Sequence, residues 1–338
     1  MQAVILNSPG GLENIRLKHL SDPGKPGYGQ IRVALHATSL NFHDLLIASG
    51  AVPTADQRIL MADGAGVVEA TGEGVSEFRP GDHVISTFFP QWSDGNPFES
   101  VGDFKLTPGA GCDGFATDYV IRPASHFTLS PQGWSHAEAA TLTTSGLTAW
   151  RALTVDGKLK AGDTVLTLGT GGVSVTALQI AKSMGATVIA TSSSDEKLAR
   201  MGELGADHLI NYRTNPEWGK AVNDITNGRG ADVIVELGGP GTLAQSIEAV
   251  RIGGHIALIG VLTGTEGKIP TAALMAKQAN LKGLIVGSRR MQQDLVRAMN
   301  QTGIRPIISD QFNGLSSIGD AFRHMAGKKH FGKITVEW

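Results

Sequence analysis

The stretch Thr164-Val165-Leu166-Thr167-Leu168-Gly169-Thr170-Gly171-Gly172-Val173-Ser174 decides the fold of this chain. An apolar, β-branched run ends in a glycine cluster, and an apolar-periodic segment from Val173 to Met184 follows at once with the period of a helix. Strand, glycine turn and helix in that order give a G-x-G fingerprint its meaning. Gly169 permits the tight turn, and Gly171 and Gly172 let a pyrophosphate approach the backbone. The helix N-terminus then offers free N–H groups and a positive dipole end to the phosphates. The candidate cofactor contacts of this turn are Gly169, Thr170, Gly171, Gly172 and Val173. The third glycine of the ideal pattern is Ser174 here, still small enough for close helix–strand packing.

Downstream, strand and helix patterns alternate. Strands are predicted at Thr187–Thr191, His208–Tyr212, Asp232–Leu237, His255–Val261 and Leu281–Gly287. Helices are predicted at Asp195–Leu204, at Pro216–Thr226 with Pro at its start, and at Thr242–Val250. Such alternation implies a parallel, doubly wound α/β sheet. Before about Pro123 the chain reads as mostly β, with strands at Met1–Leu6, Ile31–Leu35, Gly66–Ala70 and His83–Ser86 and a short helix at Asn41–Ser49. Gln91–Cys112 lacks periodicity and reads as a long surface loop. Ser135 with Glu138 is a capping-box pattern opening a helix, and a second helix is expected at Gly146–Leu153. After Gln292 come a helix and short β segments expected to rejoin the first domain. The division expected is 1–130 with 290–338 as one domain and 131–289 as the dinucleotide-binding one.

Composition narrows the function. The 338 residues carry a net charge of −2, which disfavours nucleic acid as the main partner. One cysteine, Cys112, excludes an intrachain disulfide and a thiolate-rich metal site, so a cytoplasmic setting is expected. The N-terminus lacks the basic and long apolar regions of a signal peptide, and no apolar run is long enough to span a bilayer.

In doubly wound folds ligands sit at the carboxyl ends of the strands. Contacts are therefore expected at the glycine turn, after Thr191, at Tyr212, near Gly238 and Gly239, and at Gly260; these last three glycines read equally well as tight turns. An NAD site usually carries an acid at the end of the second strand. This chain has Thr191-Ser192-Ser193-Ser194 there, with Lys197 close behind and Arg213 further on. Hydroxyls of Ser192 and Ser193 and the charge of Lys197 suit a 2′-phosphate, so NADP is the expected cofactor. The same serines read also as a polar turn and helix cap.

With these residues in place the whole chain resembles the medium-chain dehydrogenase/reductase superfamily. The likeness rests on the N-terminal β domain, Arg79-Pro80-Gly81-Asp82-His83-Val84, Gly146-Leu147-Thr148-Ala149-Trp150, the glycine turn and Leu204-Gly205-Ala206-Asp207. It implies a Rossmann domain beside a GroES-like catalytic domain, and is nearest to the zinc-independent, quinone oxidoreductase-like and alcohol dehydrogenase-like branch. The family's zinc enzymes hold catalytic zinc through a Cys, a His and usually a second Cys; the matching positions here are Asn41, Ala62 and Thr144. These cannot supply a Zn²⁺ site, so no metal is expected.

The resemblance also places Asn41 in the cleft for substrate and nicotinamide, as a donor to a substrate oxygen; helix capping is the plainer alternative. His43 falls where zinc relatives carry a proton-relay hydroxyl, and could relay a proton or be a structural histidine. Thr148 resembles a nicotinamide contact, and Lys333 a basic residue near the cofactor phosphates. Without zinc, substrates whose reduced anion is already stabilised are favoured. The leading expectation is NADPH-dependent hydride transfer to a small-molecule quinone or enone. A zinc-free alcohol dehydrogenase or carbonyl reductase, and a non-catalytic cofactor-binding interaction protein, are the alternatives. The family likeness suggests a homodimer through edge strands near Leu281–Gly287.

Overall fold

A computed structural model describes residues 1–97, 101 and 103–338. It divides into two units: Met1–Leu147 with Gly287–Trp338, and Thr148–Val286. The first crossing thus lies later than expected from sequence. The helix after Ser135 belongs with the N-terminal β-strands, because it packs on them.

The chain opens with β1 (Gln2–Leu6), β2 (Ile15–His19) and β3 (Gln30–Ser39), then α1 (Phe42–Ala48), β4 (Arg58–Ile59), β5 (Ala65–Thr71), β6 (His83–Ser86), β7 (Tyr119–Pro123), β8 (Phe127–Leu129) and α2 (His136–Ala140). A three-stranded sheet has the order β2-β1-β4. β3 shows why alternation reads as a strand. Ile31, Val33 and Leu35 point one way, into a core with Val68, Val84, Phe115 and Phe127, while the residues between them are half-buried.

The second unit begins within α3 (Leu147–Trp150), which is flanked by π-helical turns at Leu142–Gly146 and Arg151–Asp156. β9 (Thr164–Leu168), α4 (Gly172–Ser183), β10 (Thr187–Ser192), α5 (Asp195–Glu203), β11 (His208–Asn211), α6 (Trp218–Ile225), β12 (Ala231–Glu236), α7 (Pro240–Ala249), β13 (Val250–Leu258), α8 (Thr271–Lys277) and β14 (Asn280–Gly283) follow. The six strands form one parallel sheet in the order β11-β10-β9-β12-β13-β14. This is the Rossmann order, with its topological switch between β9 and β12. Every residue of β9 and β12 is buried, as a parallel sheet covered on both faces requires. The two buried acids of β12 are both paired. Asp232 takes Arg229 and Arg251, and Glu236 takes the turn that follows it.

The first unit resumes with α9 (Arg289–Thr302), β15 (Ile308–Asn313), α10 (Ile318–Ala326) and β16 (Lys333–Glu337). β16 pairs antiparallel with β3, so the tail does rejoin the first sheet, which runs β15-β16-β3-β5-β6-β8 with β7 also on β3.

Some elements differ from expectation. Pro216 lies outside α6, whose N-cap is Glu217. α8 carries no buried residue, so it left no apolar stripe to read. The segment Gln91–Cys112 is not wholly surface: Trp92 is 1% exposed, its indole donates to Gly95 O at 3.1 Å, and Thr107 is buried. Residues 98–100 and 102 of that segment lie outside the described residues. Among the described residues no helix is long and apolar enough to cross a membrane.

Candidate functional site

In the second unit the glycine turn joins β9 to α4. Gly169 has φ +78°, the left-handed region that excludes most side chains, and its N–H donates to Thr191 O at 2.8 Å. Gly171 is the N-cap of α4 and brings no side-chain cap. A methyl group built on Gly169 or Gly171 would meet no atom within 4 Å. The space over the turn is therefore open, and the first N–H groups of a twelve-residue helix face it uncapped. Ser174 explains its departure from the glycine pattern: it is fully buried and its Oγ donates to Leu168 O at 2.7 Å.

At the end of β10, Ser192 Oγ accepts from Ser194 N–H at 3.3 Å. Ser194 is the N-cap of α5, and its Oγ accepts from Lys197 N–H at 3.3 Å. The polar-turn reading of these serines is thus realised. Tyr212 N–H donates to Ser192 O at 3.1 Å, and the Tyr212 side chain is exposed. Ser192, Ser193, Lys197 and Tyr212 accordingly gather at the adjoining ends of β10 and β11. Burial and the neighbouring Arg200 hold the Lys197 pKa below its ordinary value. The first acid after the strand, Asp195, lies inside α5 and accepts from Asn211 Nδ2 at 2.7 Å.

Glu236, which the sequence reading passed over, organises the next turn. It is fully buried, and its Oε1 accepts from Gly238 N–H at 2.7 Å, Gly239 N–H at 3.0 Å and Thr242 Oγ1 at 2.6 Å. Ser246 Oγ donates to its other oxygen. Gly260 has a packing reason to be glycine, since a Cβ there would lie 2.0 Å from Leu237 O. Thr148 and Thr170 are both buried.

The first unit holds a buried polar cluster centred on Asp63. Asp63 Oδ2 accepts from Ser39 Oγ at 2.5 Å and from Asn41 Nδ2 at 2.8 Å, and its Oδ1 accepts from Thr144 Oγ1 at 2.6 Å. Asn41 is the N-cap of α1. Its Nδ2 also donates to Asp44 Oδ2 at 3.0 Å, and its backbone N–H donates to the same oxygen at 3.0 Å. Asp44 Oδ1 accepts from Ala62 N–H at 2.9 Å. Lys333 Nζ donates to Leu40 O and to Asn41 Oδ1, each at 2.6 Å, and lies 4.0 Å from Asp63 Oδ2.

Burial dominates the electrostatics here. It pushes Asp63 up to about 6, although Lys333 opposes the shift, and it raises Asp44 as well. It lowers Lys333, against the pull of the two carboxylates. Thr144 is the member of the Asp63 shell that is only half-buried.

Two expectations for this cluster need revision. Asn41 is 7% exposed, and both hydrogens of its amide are engaged by Asp63 and Asp44, so it has none left for a substrate oxygen; the capping role is the one realised. Lys333 is neither a surface lysine nor open to a phosphate, because its ammonium is enclosed with Asn41 and Leu40. His43 packs on Phe88 and Phe104 at ring separations of 5.3 Å, and burial lowers its pKa to about 4, which keeps it neutral. Its Nε2 is buried and has no hydrogen-bond partner among the described residues.

The donor set around Asp63 does not suit zinc. Zn²⁺ sites are built from thiolates, imidazoles and carboxylates in tetrahedral array. Here Asn41 and Thr144 offer neutral oxygens, Ala62 offers none, and the Asn41 oxygen is taken by a protein cation. Among the described residues no group of three or more His, Cys, Asp and Glu is disposed to hold a metal ion.

Comparison with known proteins places this architecture. The Alcohol dehydrogenase GroES-like domain family matches residues 27–132, and the Zinc-binding dehydrogenase family matches residues 172–301. A zinc-type alcohol dehydrogenase-like protein of Schizosaccharomyces pombe is 35% identical, over 100% of this chain and 99% of its own length. A solved NAD-dependent alcohol dehydrogenase superposes with a TM-score of 0.89 at 34% identity, covering 100% of both chains. A quinone oxidoreductase of Pseudomonas syringae pv. tomato superposes with a TM-score of 0.82 at 26% identity, over 100% of this chain and 99% of that one.

Proposed function

The chain belongs to the medium-chain dehydrogenase/reductase superfamily, and from that premise we propose that it is an NADP(H)-dependent oxidoreductase that passes hydride to a quinone or enone without zinc. The observation that carries this reading is the Asp63 shell. Where zinc relatives gather metal ligands, this chain gathers Ser39, Asn41, Thr144 and Lys333 around a carboxylate. Such a shell offers no Lewis acid for an alkoxide, so it suits an acceptor whose reduced anion is already delocalised.

Bound nicotinamide supplies the hydride. The protein's share is to bind, to orient and to supply a proton. The open glycine turn and the α4 N-terminus take the pyrophosphate. Ser192, Ser193 and Lys197 favour a 2′-phosphate, since no carboxylate ends β10 to claim the ribose hydroxyls. When Asp63 is protonated its O–H would donate to Thr144 Oγ1, the half-buried Thr144 hydroxyl would turn from Asp63 to the reduced acceptor and pass on its own hydrogen, and the Asp63 proton would replace it, leaving the carboxylate ionised.

The names of two relatives favour a second reading, a zinc-free alcohol dehydrogenase or carbonyl reductase using either nicotinamide. The deciding experiment assays purified protein, after chelator treatment, with NADPH and NADH against a quinone, an enone, an aldehyde and an alcohol. Turnover of quinone or enone with NADPH is expected. Turnover confined to aldehyde or alcohol overturns the acceptor assignment, and loss of all turnover on chelation overturns the zinc-free chemistry. A homodimer through the β14 edge is part of the same proposal and is read by sedimentation.

A further inference from the structure

Resting on the NADP(H) reading above, we propose that Glu236 is a positioning residue for the dinucleotide: its carboxylate fills the anion site at the α7 N-terminus, which confines the phosphates to the α4 turn and shapes the β12 turn for the nicotinamide riboside half.

The sheet has two glycine turns at its switch point, and they are built as opposites. β9 runs through Gly169–Gly172 into α4, and β12 runs through Gly238 and Gly239 into α7. Each helix start has the N–H groups and positive dipole end that attract an anion. At α4 no side chain caps them, and the space over the turn is open. At α7 every one is taken. Gly238 N–H and Gly239 N–H donate to Glu236 Oε1 at 2.7 and 3.0 Å. Pro240 has no N–H, Gly241 N–H donates to Thr263 Oγ1 at 2.8 Å, and Thr242 N–H donates to Gly239 O at 3.1 Å. The chain has placed an anion of its own where a second phosphate would bind.

The carboxylate also leaves no slack in the turn. It is fully buried, and Thr242 Oγ1 and Ser246 Oγ of α7 donate to it as well. Gly239 has φ +85° and ψ −140°, a conformation for glycine alone, and a Cβ there would lie 2.9 Å from Gly260 O. Thr263, beyond β13, extends the clasp: its Oγ1 and N–H donate to Gly238 O at 2.8 and 2.9 Å. Ile259 N–H and Gly260 N–H donate to Glu236 O at 2.9 and 3.2 Å. The exits of β12 and β13 are therefore held as one piece, with Glu236 at its centre.

A dinucleotide lies across the switch point, one half on each side. With its phosphorylated adenosine assigned to β10, the other half falls to the exits of β12 and β13. Glu236, being enclosed, acts on that half only through the backbone it holds.

The test measures calorimetric binding of NADP⁺ and of 2′,5′-ADP, which lacks the nicotinamide riboside half. It uses the full-length protein and its Glu236→Ala, Glu236→Gln and Thr263→Val variants. Glu236→Ala should bind NADP⁺ about tenfold or more weakly and Thr263→Val about fivefold, as lost hydrogen bonds to the turn require, while 2′,5′-ADP stays within about twofold in both. Glu236→Gln should keep NADP⁺ within about threefold, because its amide oxygen can accept from Gly238, Gly239 and Thr242 and its NH₂ can donate to Ser246 Oγ. Acetate, which matches the deleted CH₂ and carboxylate, should restore Glu236→Ala by about threefold or more, and chloride at equal ionic strength should not.

The failures are separable. The role of Glu236 is overturned if Glu236→Ala binds NADP⁺ like the wild type or loses NADP⁺ and 2′,5′-ADP equally. A Glu236→Gln as weak as Glu236→Ala, or acetate without effect, overturns it too. A wild type that binds NAD⁺ and 5′-AMP but not the 2′-phosphorylated pair overturns the NADP reading alone, and the same proteins are then compared with that pair. A wild type that binds no nucleotide overturns both. Should Glu236→Ala not fold, Thr263→Val decides: unchanged NADP⁺ affinity, or equal losses of NADP⁺ and 2′,5′-ADP, means that the clasp does not position the cofactor.

Discussion

At the residue scale, the proposed chemistry sets a lysine assigned to a ligand against a histidine packed on the aromatic rings of Phe88 and Phe104. Lys197 stands in the first turn of α5 beside the β10 serines, with its backbone N–H already used by Ser194. In the proposed cofactor site its side-chain charge would distinguish a 2′-phosphate from a hydroxyl. Lys197→Ala should therefore weaken NADPH binding about tenfold or more and NADH binding by far less, because one charge-assisted contact contributes about 1.5–3 kcal/mol. Fluorescence titration with the two nucleotides measures this, and equal losses would remove Lys197 from the phosphate site.

His43 behaves in the opposite way. Burial against Phe88 and Phe104 holds its pKa at about 4 instead of the ordinary 6.5. Between those values the unfolded chain binds the proton more tightly than the folded one, so His43 makes stability fall as pH drops from 6.5 toward 4. Asp63, raised from 3.8 to about 6, works against it, since the folded state takes up that proton first. His43→Gln should thus flatten the acid limb of the stability profile by up to about 3 kcal/mol, part of it remaining through other buried histidines. Urea midpoints between pH 4 and 7 report the difference. An unchanged slope would mean that His43 is charged in the fold, and would reopen its role as a proton relay.

At the scale of elements, two glycines of similar appearance serve different ends. Gly171 has φ outside the left-handed region and open space where a Cβ would go. Gly171→Ala should leave the melting temperature nearly unchanged, yet weaken the dinucleotide about tenfold or more by intruding on the pyrophosphate. Gly260 would press a Cβ to 2.0 Å from Leu237 O. Gly260→Ala should cost about 1–3 kcal/mol of stability through overpacking, whatever it does to binding. Calorimetry and nucleotide titration on the two variants separate the effects, and a destabilised Gly171→Ala would show that the turn is packed rather than open.

The contrast also explains what was legible in the sequence. The β9–α4 turn could be read because strand period, glycine cluster and helix period are all local. β3, β6 and α1 were legible for the same reason. The Asp63 shell was not, because its members come from β3, the α1 cap, the residues before β5, a π-helical turn and β16, and nothing in their spacing joins them. Asn41, Ala62 and Thr144 could be recognised as departures from zinc ligands, but only the pairing of β16 with β3 reveals that Lys333 reaches Asn41. A motif for that lysine exists, Phe331-Gly332-Lys333, and taken alone it points to a phosphate. Glu236 escaped notice for another reason: an acid at the end of an apolar run looks like a strand terminus until its hydrogen bonds to Gly238, Gly239, Thr242 and Ser246 are seen.

At the scale of the whole molecule, the second unit is inserted into the sequence of the first, and each has hydrophobic cores of its own. The unit 148–286 has its own sheet-centred core around Leu166, Ile189, Ile234 and Ile256, while Val4, Leu60, Phe322 and Val336 belong to a core of the first unit. A ligand whose phosphates bind only the second unit must couple first to that unit's stability. At 100 times its dissociation constant, NADPH should stabilise the folded state by about 2.7 kcal/mol. Hydrogen exchange tells where that energy is felt. Amides of the Gly171–Val173 turn and of Ser192–Lys197 should exchange more slowly in the presence of NADPH. Amides of β1 and β2, paired with each other in the first unit's small sheet, should exchange as before. Protection that appeared on β1 and β2 while the glycine turn stayed unchanged would move the dinucleotide site off the β9–α4 crossing, and the cofactor assignment would fall with it.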